Sequence, residues 1–182
     1  LKPKLMKNVI RLFVLIVLSI SGVWLGKKIV QTYKHKKVTE QQIQALPHAC
    51  FESLAGKTIC IDEFNPEKPL VLVYFHPECE HCQYEAQEIG QNAATLSNCQ
   101  LVMITHDDSL QRVKNFCETN HLWEVDNIEV LIDTANQFKT VFGKAVVPSV
   151  YIYGTDRNLK KKYLGETRID LILAEISVNE KL

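Results

Sequence analysis

The stretch LVLVYF, residues 70–75, sets six apolar, β-rich residues in a row, the pattern of a strand buried on both faces. CQLVMITH over 99–106 reads as a second buried strand, and NIEVLID over 127–133 as a third strand. Between these strands the period changes. Over 80–96, Tyr84, Ile89, Ala93 and Leu96 recur at roughly helical spacing; over 108–122, Leu110, Val113, Phe116 and Cys117 share one face behind an N-cap candidate at Asp108 or Ser109. Thr134 is expected to cap a short helix in ANQFKTVFG, closed by Gly143. KTICI over 57–61 alternates as a short strand, and EFNPEKP after it reads as a loop. Residues 146–166 predict two antiparallel strands around GTDRN, and RIDLILAEISVNEKL predicts a last helix. Strand–helix alternation followed by a hairpin and a helix predicts an α/β fold: a mixed central sheet covered by helices on both faces.

The apolar pattern at the start of the chain is different. NVIRLFVLIVLSISGVWLG, residues 8–26, is apolar except for Arg11 and a few small polar residues, with no polar face. It predicts a transmembrane signal-anchor whose flanking Arg11 and Lys27 extend to the interfaces. The alternative is a cleaved signal peptide with its apolar region over 12–18 and Ser19-Ile20-Ser21 at the cleavage site. The continuation VWL beyond that site favours the anchor. Residues 1–7 then form a basic flank, 27–48 a polar, basic stalk, and 49–182 the globular domain. Lysines lie on both sides of the apolar segment, so flanking charge does not settle the topology and leans slightly toward a cytoplasmic domain.

Charge removes one class of partner. With 21 basic and 21 acidic residues the net charge is zero, which gives no field for nucleic acid. Small molecules or proteins are the expected partners.

The chemistry concentrates in HPECEHCQYE, 76–85. Cys79 and Cys82 fall where a buried strand hands over to a helix, so Cys79 stands at a helix N-terminus, whose unpaired N–H groups favour a thiolate. Cys82, one turn on, is placed to attack a mixed disulfide formed on Cys79. Zinc sites use the same spacing, but no second C-x-x-C or H-x3-5-H pair follows, and only His76 and His81 remain to complete a mixed site.

LVLVYFHPECEHCQYEAQEI followed by VVPSVYIYGTDRNLKKKYLGE resembles the thioredoxin-like superfamily, and within it the membrane-anchored TlpA-like thiol-disulfide oxidoreductases. The resemblance covers about residues 49–180. It implies a thioredoxin-like fold, Cys79 as nucleophile, Cys82 as resolving cysteine and a cis proline at Pro148. It also implies that the backbone of Val147 pairs with the substrate chain. Glu85 matches a glutamate of the TlpA-like branch and is a candidate proton acceptor; the alternative is a solvated carboxylate on the helix surface. The aromatic usual before the first cysteine is replaced by Glu78. His81, when protonated, would stabilise a Cys79 thiolate, and Glu78 and Glu80 would oppose it, so the redox potential is left open.

The implied activity is disulfide exchange with protein substrates outside the cytoplasm, on the periplasmic side of a bacterial membrane. It needs no metal and no cofactor beyond the redox-active Cys79–Cys82 pair, and is served by a membrane or soluble thiol partner. The other classes kept open are a peroxiredoxin-like thiol peroxidase, weakened by His76 standing where a Thr or Ser is expected, and a copper- or zinc-binding module using Cys79, Cys82, His76 and His81. Of the remaining cysteines, Cys99 and Cys117 read as small buried core residues. For Cys60 the same reading is preferred, with a bridge to Cys50 as the alternative. His35, His48, His106 and His121 are taken as surface or internally satisfied residues, Trp123 as a packing residue, and Lys160, Lys161 and Lys162 as a charged sheet edge.

Overall fold

The computed structural model describes residues 3–124, 126–144 and 146–178. The chain falls into two units, a helix up to Glu40 and a compact unit from Gln41 onward. The first is α1 (Pro3–Gln42), which runs unbroken through the expected membrane segment and into the expected stalk, ending six residues before its C-terminal bound at 48. The side chains of the basic flank over 1–7, and of 8–16 within the apolar segment, lie outside those described. Among the described residues, no helix is long and apolar enough to cross a membrane. The described part of α1 nonetheless exposes Ile20, Val23, Trp24, Leu25, Ile29 and Tyr33.

Among its described residues the compact unit contains seven strands: β1 (Cys50–Ser53), β2 (Thr58–Cys60), β3 (Leu70–Phe75), β4 (Gln100–Thr105), β5 (Ile128–Ile132), β6 (Ser149–Tyr153) and β7 (Leu159–Leu164). They form one sheet in the order β2-β1-β5-β4-β3-β6-β7. The central β3, β4 and β5 are parallel, while β6 and β7 on one side and β1 and β2 on the other are antiparallel to their neighbours. The helices are α2 (Glu80–Gln91), α3 (Leu110–Thr119), α4 (Gln137–Phe142) and α5 (Ile169–Val178).

Alternation along β3 divides the core in two. Val71, Val73 and Phe75 point to one face and join Cys82, Ala86 and Ile89 of α2, Val113, Phe116 and Cys117 of α3, and Ile172 and Ile176 of α5. Leu70, Leu72 and Tyr74 point to the other and join Phe138 and Phe142 of α4, Phe51 and Ile61. Each face of the sheet therefore buries its own apolar layer, which is why three consecutive strands read as continuous apolar runs. The core also reaches ahead of Ala49: Ile43 is fully buried, and the Leu46 N–H bonds the Arg157 carbonyl at 2.8 Å. β7 is an outer strand, and its Lys160–Lys161–Lys162 run charges that edge.

Several local expectations are corrected. The helix over 80–96 is α2 followed by a separate 3-10 turn (Ala93–Leu96). Tyr84 is half exposed. Thr134 does not cap α4. The N-cap is Asn136, in the left-handed region at φ 51°, and the Asp133 carboxylate accepts the Gln137 and Phe138 N–H groups at 2.7 and 2.9 Å. Each carboxylate oxygen of Asp133 thereby satisfies one of the free N–H groups of the first turn. Trp123 is half exposed, beside a shallow groove with Leu54 and Ile128.

Cys60 is bridged to Cys50 rather than being a lone core residue. The reason is register: β1, too short for its pattern to show, sets Cys50 directly opposite Cys60. The bridge spans 10 residues, so the chain-entropy argument gives it about 3 kcal/mol. Urea unfolding of the Cys50→Ser/Cys60→Ser variant is expected to show that loss; an unchanged midpoint would mean that the edge hairpin contributes nothing to global stability.

Gly90 marks the tightest approach of α2 to the end of α3. A Cβ there would collide with the backbone carbonyl of Asn120, which has no rotamer by which to withdraw. Gly90→Ala is expected to destabilise by about 2 kcal/mol, overpacking outweighing the helix-propensity gain. A raised melting temperature in the variant would show that the two helices separate freely.

Candidate functional site

β3 ends at Phe75, fully buried, and the chain turns through His76, Pro77 and Glu78 before α2 begins. The turn is held by its own polar groups. The Cys79 N–H donates to the His76 carbonyl at 3.1 Å, the Glu78 N–H to His76 Nδ1 at 3.2 Å, and the Gln83 side-chain amide to the Pro77 carbonyl at 3.0 Å. Cys79 is thereby fixed as the N-cap of α2, with extended backbone angles and no hydrogen bond from its side chain to the helix.

The two sulfurs differ in access. Cys79 is half-buried, whereas Cys82 is 1 % exposed and belongs to the α2 core face. The His76 N–H donates to Cys82 Sγ at 3.5 Å. Burial pushes the Cys82 thiol far above the usual range, and the neighbouring Cys79 and the Glu85 carboxylate add to this.

Glu85 lies one turn beyond Cys82 and is 1 % exposed, which overturns the solvated-surface alternative. Its Oε1 accepts the Thr167 N–H at 3.0 Å, and its Oε2 makes no hydrogen bond. Burial raises its carboxyl to about 8, with Glu166 adding repulsion and the Thr167 N–H opposing both. A buried carboxyl that titrates near neutrality, one helical turn from a buried thiol, is equipped to exchange a proton with it.

The second wall comes from far along the chain. The Val147–Pro148 bond is cis. β6 pairs with β3 so that Ser149 stands opposite Tyr74, which brings Val147–Pro148 to the end of β3 from which the cysteines follow. Cys79 and Val147 pack against the same apolar layer. Gly165, at φ 97°, donates its N–H to the Pro148 carbonyl at 2.9 Å and turns the chain toward Thr167, the partner of Glu85.

Of the charged groups expected to tune Cys79, His81 and Glu78 have other partners. His81 is exposed and donates from Nδ1 to Glu166 at 2.6 Å; Glu80 lies in the first turn of α2, and Glu78 pairs with Arg112 at 3.4 Å. Arg112 also grips buried Asp107 through Nε at 2.6 Å and a terminal nitrogen at 3.0 Å, holding that carboxyl below its usual range. His76 Nε2 approaches the same carboxylate at 3.8 Å. Among the described residues, Cys79, Cys82, His76 and His81 do not converge on a metal; the convergent set is His48, Cys50 and Cys60. Glu166, Thr167 and the Asp107–Arg112 pair were not found by sequence reasoning, since no spacing links them to the cysteines. A groove of about 560 Å³ runs between α2 and α3, lined by Glu78, Glu80, Tyr84, Arg112, Asn115 and Phe116 among others, with neither cysteine in its lining.

Comparison with known proteins follows the fold. The family described as AhpC/TSA matches residues 43–162. Mycobacterium tuberculosis DsbF, solved in mixed oxidized and reduced forms, is similar at 23% identity and a TM-score of 0.62, over 75% of this chain and 96% of that one. A secreted disulfide oxidoreductase of the same organism, homologous to E. coli DsbE, is similar at 19% identity and 0.62, over 76% and 98%. Peroxidoxin BcpB, also from Mycobacterium tuberculosis, is similar at 16% identity and 0.62, over 74% and 94%. These likenesses show a thioredoxin-like fold. No curated protein matches the chain.

Proposed function

We propose, for a chain that belongs to the AhpC/TSA family, that it is a TlpA-like thiol-disulfide oxidoreductase acting on protein disulfides through Cys79 and Cys82. The observation that carries this reading is the layered set at the start of α2: an accessible Cys79, a hidden Cys82 and a buried Glu85 beneath it. The Cys79 thiolate attacks one sulfur of a substrate disulfide, forming a mixed disulfide and releasing the other substrate sulfur as a thiolate. Cys82 gives its proton to the ionised fraction of Glu85, which grows as pH approaches 8, and attacks Cys79 Sγ. The second substrate thiolate leaves, two electrons have passed to the substrate, and Cys79–Cys82 is a disulfide. Val147, ahead of Pro148, supplies backbone groups for an extended substrate chain, giving affinity with little sequence selectivity. The chemistry is carried by the protein's own sulfurs.

An extracytoplasmic, membrane-tethered placement belongs to the same reading. The Cys50–Cys60 bridge supports an oxidising compartment. The apolar run over 8–26 and the exposed apolar side chains of α1 support an anchor.

The test is a redox titration of the full chain in thiol buffers, with free thiols trapped by alkylation and the Cys79–Cys82 peptide read by mass spectrometry. A two-electron couple near roughly −270 mV marks a reductant of other disulfides, and one near roughly −120 mV an oxidant. Peroxide consumption is measured in parallel: turnover of hydrogen peroxide without insulin reduction would replace this reading with a peroxidase.

A further inference from the structure

At the sheet edge formed by β1 and β2, three donors meet that disulfide exchange at Cys79 does not use. His48 Nε2 lies 3.5 Å from Cys50 Sγ, and the ligand atoms of His48, Cys50 and Cys60 all lie within 4.8 Å of one another. His48 Nδ1 donates to Asp62, 2.9 Å from each carboxylate oxygen. That bond puts the proton of the neutral ring on Nδ1 and leaves the Nε2 lone pair on the side of the sulfurs. A carboxylate behind a histidine whose other nitrogen faces two cysteines is the outer-shell arrangement that orients metal-binding imidazoles. Glu63 adds a further negative charge close enough to act on His48.

We propose that His48, Cys50 and Cys60 form a redox-gated zinc site, closed while the Cys50–Cys60 disulfide is intact and opened by its reduction. In the oxidised chain the two sulfurs are bonded to each other and carry no thiolate charge. A protein dithiol opens the site by exchange: the S–S bond breaks, Cys50 and Cys60 gain two electrons and two protons, and the dithiol becomes a disulfide. Zinc then displaces the two thiol protons and binds two thiolates and His48 Nε2, with a fourth position open to solvent. The exposed ring of His48 gives the ion a path of entry. The site is separate from the Cys79 pair, because β5 and β4 stand between β1 and β3 in the sheet.

The test uses the full chain carrying Cys79→Ser and Cys82→Ser, so that the C-x-x-C pair cannot compete. The chain is reduced with a phosphine, exchanged into buffer above neutral pH, and titrated with cobalt(II) and then zinc(II). The expected result is one equivalent of cobalt with a thiolate-to-metal charge-transfer band and a tetrahedral visible spectrum, both erased by one equivalent of zinc. The unreduced chain is expected to give neither. His48→Ala, at an exposed position that leaves the fold intact by circular dichroism, is expected to weaken zinc binding at least tenfold. Asp62→Asn is expected to weaken it about tenfold or more. No charge-transfer band in the reduced chain overturns the proposal, as does a band that survives Cys50→Ser or an affinity unmoved by His48→Ala.

Discussion

Cys79→Ser is expected to lower kcat/KM for reduction of insulin disulfides by at least about 10³-fold, leaving no measurable turnover above the reductant alone. A serine hydroxyl at the N-cap of α2 is not ionised at neutral pH and is a poor nucleophile toward sulfur, so the first bond never forms. The fold has no reason to change. The Cys79 side chain makes no cap bond to the helix, so an oxygen for sulfur exchange there disturbs only local contacts. Cys82→Ser is expected to fail differently. Attack by Cys79 proceeds, resolution does not, and the mixed disulfide accumulates as a covalent adduct whose mass gives the identity of the substrate peptide. Retained insulin reduction in Cys79→Ser would move the nucleophile elsewhere. Accumulation of adduct on Cys82 in that variant would reverse the two roles.

The second large effect belongs to Glu85, and it has a sign. Its folded carboxyl titrates at about 8, well above the roughly 4.3 of an unfolded glutamate. Below about pH 4 both states hold the proton and Glu85 leaves stability unchanged. As pH rises from there to about 8 the unfolded chain releases its proton while the folded one keeps it, so stability falls, by a total on the order of 5 kcal/mol. Glu85→Gln keeps an acceptor for the Thr167 N–H and abolishes the titration. Urea unfolding at pH 5 and pH 8 is expected to show wild type losing several kcal/mol relative to the variant. Parallel pH profiles of the two proteins would place the ionised carboxylate in contact with water. Activity moves the other way. Without a carboxylate to take the Cys82 proton, resolution of the mixed disulfide slows by about 10²-fold, while the first attack by Cys79 is unaffected.

The sequence displays what the sheet demands of each strand. β3, most of β4 and the second half of β5 are buried on both faces, so their apolar runs stand out, and the cysteine pair is visible because it follows one of them directly. The fold was legible for that reason. What stayed hidden was set by distance along the chain. Glu85 reads as a helix-surface carboxylate until α5 and the Gly165–Thr167 turn close over it, and the bonded Thr167 lies 82 residues away. β1 is four residues long, too short for a period to show, so neither its pairing with β2 nor the opposition of Cys50 and Cys60 was evident. The spacing of His48, Asp62 and the two cysteines carries no motif, and the β1–β2 register alone brings them together. The cis state of Val147–Pro148 was implied by resemblance and by nothing in the local residues.

The bond from Thr167 to Glu85 also orders events in time. A ribosome adding roughly 5–20 residues per second has completed Cys79 and Cys82 about 4–16 s before it reaches Thr167, across the 82 residues that separate the bonded pair. During that interval the emerging chain carries both thiols, but the buried carboxyl that would take the resolving proton has no cover and no anchor. A nascent chain therefore holds a cysteine pair that can exchange with other disulfides before the proposed proton acceptor is in place. The proposed proton acceptor is in place only once the turn that carries Thr167 has closed over it.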